Sequence, residues 1–180
     1  MDSFKEQILK KNVTQRDKMS KLCIMIASVA LAFCFIFLMF MSPRLAVICI
    51  FLACMSVYGG YYLSQNLDIE YEYIFTNGDL DVDKIIAQRR RKRLISIHVN
   101  DVTGAGIADE NYNEGDRTLV FAAACDSEKT DYYLETKHKS YGQVSIIFTP
   151  DDEMLRLIKT HLPRNIRNSI TVPDKPEEEE

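Results

Sequence analysis

Two uncharged apolar runs, Leu22 to Met41 and Leu45 to Leu63, are separated only by Ser42-Pro43-Arg44. At about 1.5 Å rise per residue, helices of this length reach about 30 Å, the thickness of a bilayer's hydrocarbon core. Three residues cannot carry a chain back across a membrane, so the runs predict a tight antiparallel helical hairpin. Whatever follows Leu63 then returns to the side on which the chain began. The first run is too long for a signal-peptide core, and a second span follows at once.

The two parts of the chain differ in charge. From Ser64 onward there are fifteen Lys/Arg against twenty-three Asp/Glu, whereas residues 1–21 hold six basic and three acidic side chains. An acidic domain repels the phosphate backbone, which argues against nucleic acid as a partner. The excess of Lys/Arg before the first span, with Arg44 alone in the loop, places both termini in the cytoplasm of a two-span protein of the cell membrane. Tyr58, Tyr61 and Tyr62 end the second span, where amphipathic rings favour the headgroup level.

The domains expected from this pattern are an N-terminal cytoplasmic segment at 1–20, the hairpin at 21–63, a β-domain at 66–165 and an acidic disordered tail at 166–180. In the first segment Phe4, Ile8 and Leu9 fit helical spacing, which leaves a surface-lying amphipathic helix or a plain tail. After Gln65-Asn66 the period changes to two. Tyr71, Tyr73 and Phe75 alternate with Glu70, Glu72 and Ile74, and Asn77-Gly78 is a hairpin signal because both central turn positions need positive φ. Folding about it sets Glu72 opposite Asp83, a like-charge pair that a bulge near Lys84 to Ala87 would relieve. Further strands read at Leu94 to Val99, Thr118 to Cys125, Thr130 to Glu135 and Gln143 to Phe148. A helix follows, capped by Thr149 with Pro150 in its first turn, and its stripe is Met154, Leu155, Ile158 and Leu162.

Six strands finishing in one amphipathic helix resemble a pleckstrin-homology (PH)-like barrel. The runs Tyr73-Ile74-Phe75-Thr76-Asn77-Gly78-Asp79-Leu80-Asp81-Val82, Arg93-Leu94-Ile95-Ser96-Ile97 and Ile146-Ile147-Phe148-Thr149-Pro150-Asp151-Asp152-Glu153-Met154-Leu155 resemble bacterial membrane-anchored PH-like domain proteins, two-span proteins of Gram-positive anaerobes among them. The fold class implied is a two-helix transmembrane hairpin plus a small mainly-β, PH-like barrel closed by a C-terminal helix. A further strand would have to come from Asp101 to Ala108. The resemblance implies a binding or assembly domain, with no established ligand or activity; the residues themselves signal neither an enzyme nor a cofactor.

Arg89, Arg90, Arg91, Lys92 and Arg93 form the sharpest candidate site. Five adjacent cations belong at a strand end facing solvent or anionic lipid headgroups, each contributing about 1 kcal/mol near an anionic leaflet. The competing reading is a solvated turn paired with Asp79, Asp81 and Asp83. Gly59 and Gly60, with Ala27, Ser28, Ala32, Ala53 and Ser56, are candidates for helix packing, including against another membrane protein. Asp79, Asp81 and Asp83 fail as a calcium loop, since Lys84 stands where its glycine belongs. His98, His138 and His161 lack metal-ligand spacing, no CxxC pair occurs among the five cysteines, and no catalytic motif is present. No Asp, Glu, Lys, Arg or His lies inside either apolar run, which argues against conduction by a monomer. Oligomeric state is not written in the sequence.

Overall fold

In a computed structural model of the chain, the described residues are 3–12, 14–109, 112, 113, 115–124 and 129–170. They form two compact units, one helical (Val13–Ile69 with Ile86–Arg90) and one a β-domain made of Met1–Asn12, Glu70–Ile85 and the chain from Arg91 on.

The helical unit holds α1 (Gln15–Met41) and α2 (Ala46–Gln65), joined by a 3-10 turn at Pro43–Leu45. Pro43 starts that turn, where its missing N–H costs nothing. Both helices are long and apolar enough to cross a membrane. Some of their small residues face inward: Ala32, Cys49, Ala53 and Gly60 are buried, while Ala27, Phe33, Phe40, Val47 and Phe51 are exposed. Ser56 Oγ donates to the Ser28 carbonyl at 2.8 Å, and a Cβ on Gly60 would overlap the Ser28 side chain. Gly59 has open space around its Cβ position. Close approach of two backbones through small residues is how helices pack where no hydrophobic effect drives them together. At the open end of the hairpin Lys21 Nζ pairs with Asp68 Oδ1 at 2.5 Å.

The β-domain opens with β1 (Phe4–Lys10), which precedes the hairpin. The chain returns from α2 as β2 (Ile69–Thr76), and β2 pairs antiparallel with β1 from Phe4↔Thr76 to Lys10↔Glu70. This corrects the reading of 1–20 as a segment apart. Helical spacing of Phe4, Ile8 and Leu9 misleads, because Phe4 and Ile8 are exposed and only Leu9 of the three enters the core. The hairpin is thus inserted between two adjacent strands of one sheet. β3 (Asp79–Ile86) and β4 (Arg90–His98) complete the sheet in the order β1-β2-β3-β4. Asn77 and Gly78 adopt φ of 51° and 99°, as a primed turn demands.

The second sheet contains β5 (Val102–Ile107), β6 (Thr118–Ala122), β7 (Tyr132–His138) and β8 (Gly142–Phe148) in the order β5-β7-β8-β6. β5 is the further strand expected from Asp101 to Ala108. β6 runs parallel to β8, and the other two pairings are antiparallel. Side chains of both sheets, including Tyr73, Phe75, Leu80, Leu134, Ile146 and Phe148, are fully buried together with the apolar stripe of α3 (Asp152–His161). Asp151 caps α3, its Oδ1 accepting from Met154 N at 2.7 Å. Thr149 is not the cap, because its hydroxyl is used elsewhere: it donates to Asp131 Oδ1 at 2.6 Å and accepts from Ala124 N at 2.9 Å.

Order extends past the expected start of the tail. Arg167 Nη2 donates to the carbonyls of Thr160 and Leu162 at 2.9 and 3.0 Å, closing the end of α3, and Ile170 is buried. The acidic segment 171–180 lies outside the described residues, as do Cys125 and the loop positions 126–128.

Candidate functional site

The basic run divides within a few residues. In the helical unit, Arg89 Nη2 donates to Gln65 Oε1 at 2.7 Å and Arg90 Nη2 donates to Tyr62 OH at 2.9 Å. Both partners sit in the last turn of α2 and are neutral, so neither guanidinium is cancelled by a carboxylate there. The turn holding these arginines is unusual. Ala87 and Gln88 both have φ of 53°, a left-handed conformation that side chains with a Cβ adopt at a cost. Ala87 N donates to the Asp68 carbonyl at 2.8 Å, which helps hold the turn in that shape.

In the β-domain the remaining arginines meet carboxylates. Arg91 Nη2 lies 2.7 Å from Glu72 Oε1, and Arg93 binds Asp83 through Nε at 2.9 Å and Asp81 through Nη1 at 3.0 Å. The Asp83 hydrogen bond foremost holds the Arg93 guanidinium above its ordinary pKa. Glu72 is fully buried and Asp83 nearly so, which makes these pairs the relief of the like-charge contact between neighbouring strands. Lys92, between the two paired arginines, is exposed. The run is therefore paired with carboxylates only in part. Arg91 and Arg93 are structural, and Asp79 pairs with His98 Nδ1 at 2.6 Å rather than with an arginine.

The structure separates Gly60 from Gly59. Gly60, Ser28, Ala32, Ala53 and Ser56 are taken up inside the hairpin, and Gly59 is left outward. Among the described residues no three His, Cys, Asp or Glu side chains are placed to hold a metal ion. His98 is held by Asp79 and Asn100, His138 stacks on Tyr141, and His161 lies edge-on to Phe75.

Sequence reasoning misses one polar cluster on the second sheet. Tyr112 OH lies 3.0 Å from Glu135 Oε1 and 2.6 Å from Ser145 Oγ, its ring stacks on Tyr133, and Arg117 binds the other Glu135 oxygen at 3.1 Å. Gly104 and Gly106 make room, since a Cβ at either would strike Glu135 or Tyr133. These two glycines, alternating on β5 opposite large side chains, are the signal that could have found it. With Ser145 wholly buried, the cluster fastens a loop and offers no exposed nucleophile.

An apolar helical hairpin inserted between β1 and β2 of a domain of two four-stranded sheets with a closing helix has the layout of a PH-like domain protein with two helices apolar enough to cross a membrane. A family model described as "Bacterial PH-like domain" matches residues 1–168, through β1, the hairpin and both sheets, and the chain belongs to that family. Neither a curated protein nor a solved structure matches it.

Proposed function

We propose that this protein is a membrane-tethered, non-enzymatic binding or scaffolding module. The hairpin crosses the cell membrane, both termini lie in the cytoplasm, and the basic turn touches anionic lipid headgroups. The observation that carries this reading is the pairing of Arg89 and Arg90 with Gln65 and Tyr62, because the tyrosine-bearing end of an apolar helix is where headgroups lie. Arg91 and Arg93 are balanced by Glu72, Asp81 and Asp83, so the headgroup contact falls to Arg89, Arg90 and Lys92. Three cations near an anionic leaflet supply about 3 kcal/mol, enough to select anionic lipid around a tether that is already inserted.

The domain is interrupted by the hairpin, so the test uses the full chain. Extracted in mild detergent, the wild type should retain more phosphatidylglycerol or cardiolipin than the Arg89→Gln/Arg90→Gln/Lys92→Gln variant. Equal retention by the two would refute the headgroup contact. A second reading, an accessory subunit whose hairpin packs against another membrane protein, is favoured by the open surface at Gly59. A partner that co-purifies with wild type and is lost on Gly59→Leu would select it.

A further inference from the structure

Among the described residues, Glu72 Oε2 is one of two buried side-chain polar atoms without a hydrogen-bond partner; the other is Arg167 Nε, whose guanidinium is otherwise bonded. Glu72 is fully buried, and its Oε1 is already occupied by Arg91. From β1, Glu6 adds to the upward shift of the Glu72 carboxyl. The register places Ile8 directly opposite Glu72 and Glu6 opposite Ile74, so Glu6 is the diagonal neighbour of Glu72 on one sheet face. Two carboxylates are acceptors only, and a proton alone can join them.

The surrounding charges leave room for that proton. On β1, Lys10 stands opposite Glu70 of β2. On β3 and β4, Asp81 and Asp83 take Arg93. Arg91 is the cation paired with Glu72, and it is opposed there by the negative potential of Glu6 and Asp83. We propose that Glu72 holds a proton on Oε2 and donates it to Glu6, forming a carboxyl–carboxylate clasp across the two strands that flank the membrane hairpin. Burial foremost pushes the Glu72 carboxyl above the usual glutamate range; Arg91 opposes this, and Glu6 and Asp83 add to it. A proton bound more tightly in the folded than in the unfolded chain contributes stability below the ordinary glutamate pKa. That contribution is lost as pH rises through the folded value. The clasp thus makes the hold of β1 on β2 depend on pH, firmest in mild acid, independently of any lipid contact.

The test is an infrared pH titration of the full chain in nanodiscs, read at the C=O stretch of protonated carboxyl groups. The wild type should keep such a band above the ordinary glutamate titration range, and Glu72→Gln should lose it. The amide that this substitution introduces supplies a permanent donor to Glu6. Hydrogen exchange in residues 4–10, taken as the wild-type to variant ratio at each pH, should therefore rise several-fold as the wild-type band disappears. Absence of the band, its persistence in Glu72→Gln, or a flat exchange ratio would overturn the clasp. Should Glu72→Gln fail to fold, Glu6→Gln at the exposed partner serves: the Glu72 band should vanish at lower pH, and an unchanged titration would equally refute the shared proton.

Discussion

Removing one hydroxyl should loosen the join between the two sheets. Tyr73 on β2 is fully buried; its OH donates to the carbonyl of Ala122 on β6 and accepts from Thr149 N at 3.2 Å, just before α3. Its ring meets Phe148 edge-on with centroids 5.6 Å apart. Tyr73→Phe keeps the ring and its packing but leaves a carbonyl and an N–H without this partner. Ala122 and Thr149 are both buried, so water cannot replace the lost contacts. Each buried group left unsatisfied costs about 1–3 kcal/mol, which puts the substitution at about 2–6 kcal/mol. Against about 5–15 kcal/mol for an ordinary domain, that is a large fraction. Native-state hydrogen exchange on the full chain in nanodiscs reads it directly, since amides of β6 and β8 should lose protection by that amount while α1 and α2 keep theirs. Burial also raises the Tyr73 phenol well above its ordinary pKa, so the protonated donor persists through the alkaline range and the loss should not vary between neutral pH and about pH 9. A change below about 0.5 kcal/mol would mean that the hydroxyl does not join the sheets, and the reasoning would fail.

Gly60→Leu should destabilise the hairpin by about 1–3 kcal/mol through overpacking against Ser28, whereas Gly59→Leu should be nearly neutral; a steric-trap unfolding assay in bicelles compares them. Replacing Ala87-Gln88 by Asn-Gly should raise stability by about 1 kcal/mol, read as the thermal midpoint of the detergent-solubilised chain, because the turn needs positive φ at both positions. Arg91→Ala leaves Glu72 buried without its cation. It should cost about 2 kcal/mol at neutral pH, reduced from the fully buried case because Arg91 is half exposed, and less in acid as Glu72 protonates; chemical denaturation at two pH values checks both size and sign.

The parts that were legible in the sequence are those set by neighbours in the chain. The apolar runs and their three-residue connection give the hairpin, Asn77-Gly78 gives the β2–β3 turn, and the stripe at Met154, Leu155, Ile158 and Leu162 gives α3. Strand β1 was not legible, because its partner lies sixty or more residues away beyond the inserted helices. Its inward face also carries Gln7, whose amide accepts from Asp151 N and donates to the Thr149 carbonyl, so the strand lacks an apolar alternation. The basic run could be seen as a charge cluster, but not as divided. Tyr62 and Gln65 hold Arg89 and Arg90 across a fold in the chain, and no local pattern marks Glu72 as buried rather than solvated. The Ala87-Gln88 turn likewise lacks the residues that usually announce it, since its conformation is held by the backbone bond to Asp68.

On the proposed crossing, the insertion of the helical hairpin between paired strands makes one demand that outranks the rest: β1 and the sheet it joins must share a side of the membrane. Single cysteines at Ser3, Arg44 and Ser140, placed in a chain cleared of its native cysteines, can be labelled with an impermeant maleimide on intact cells and again after permeabilisation. Position 44 should react from outside, and positions 3 and 140 only after the membrane is opened. Labelling of positions 3 and 140 from opposite sides would contradict the pairing of β1 with β2, and protection of position 44 in intact cells would contradict the crossing.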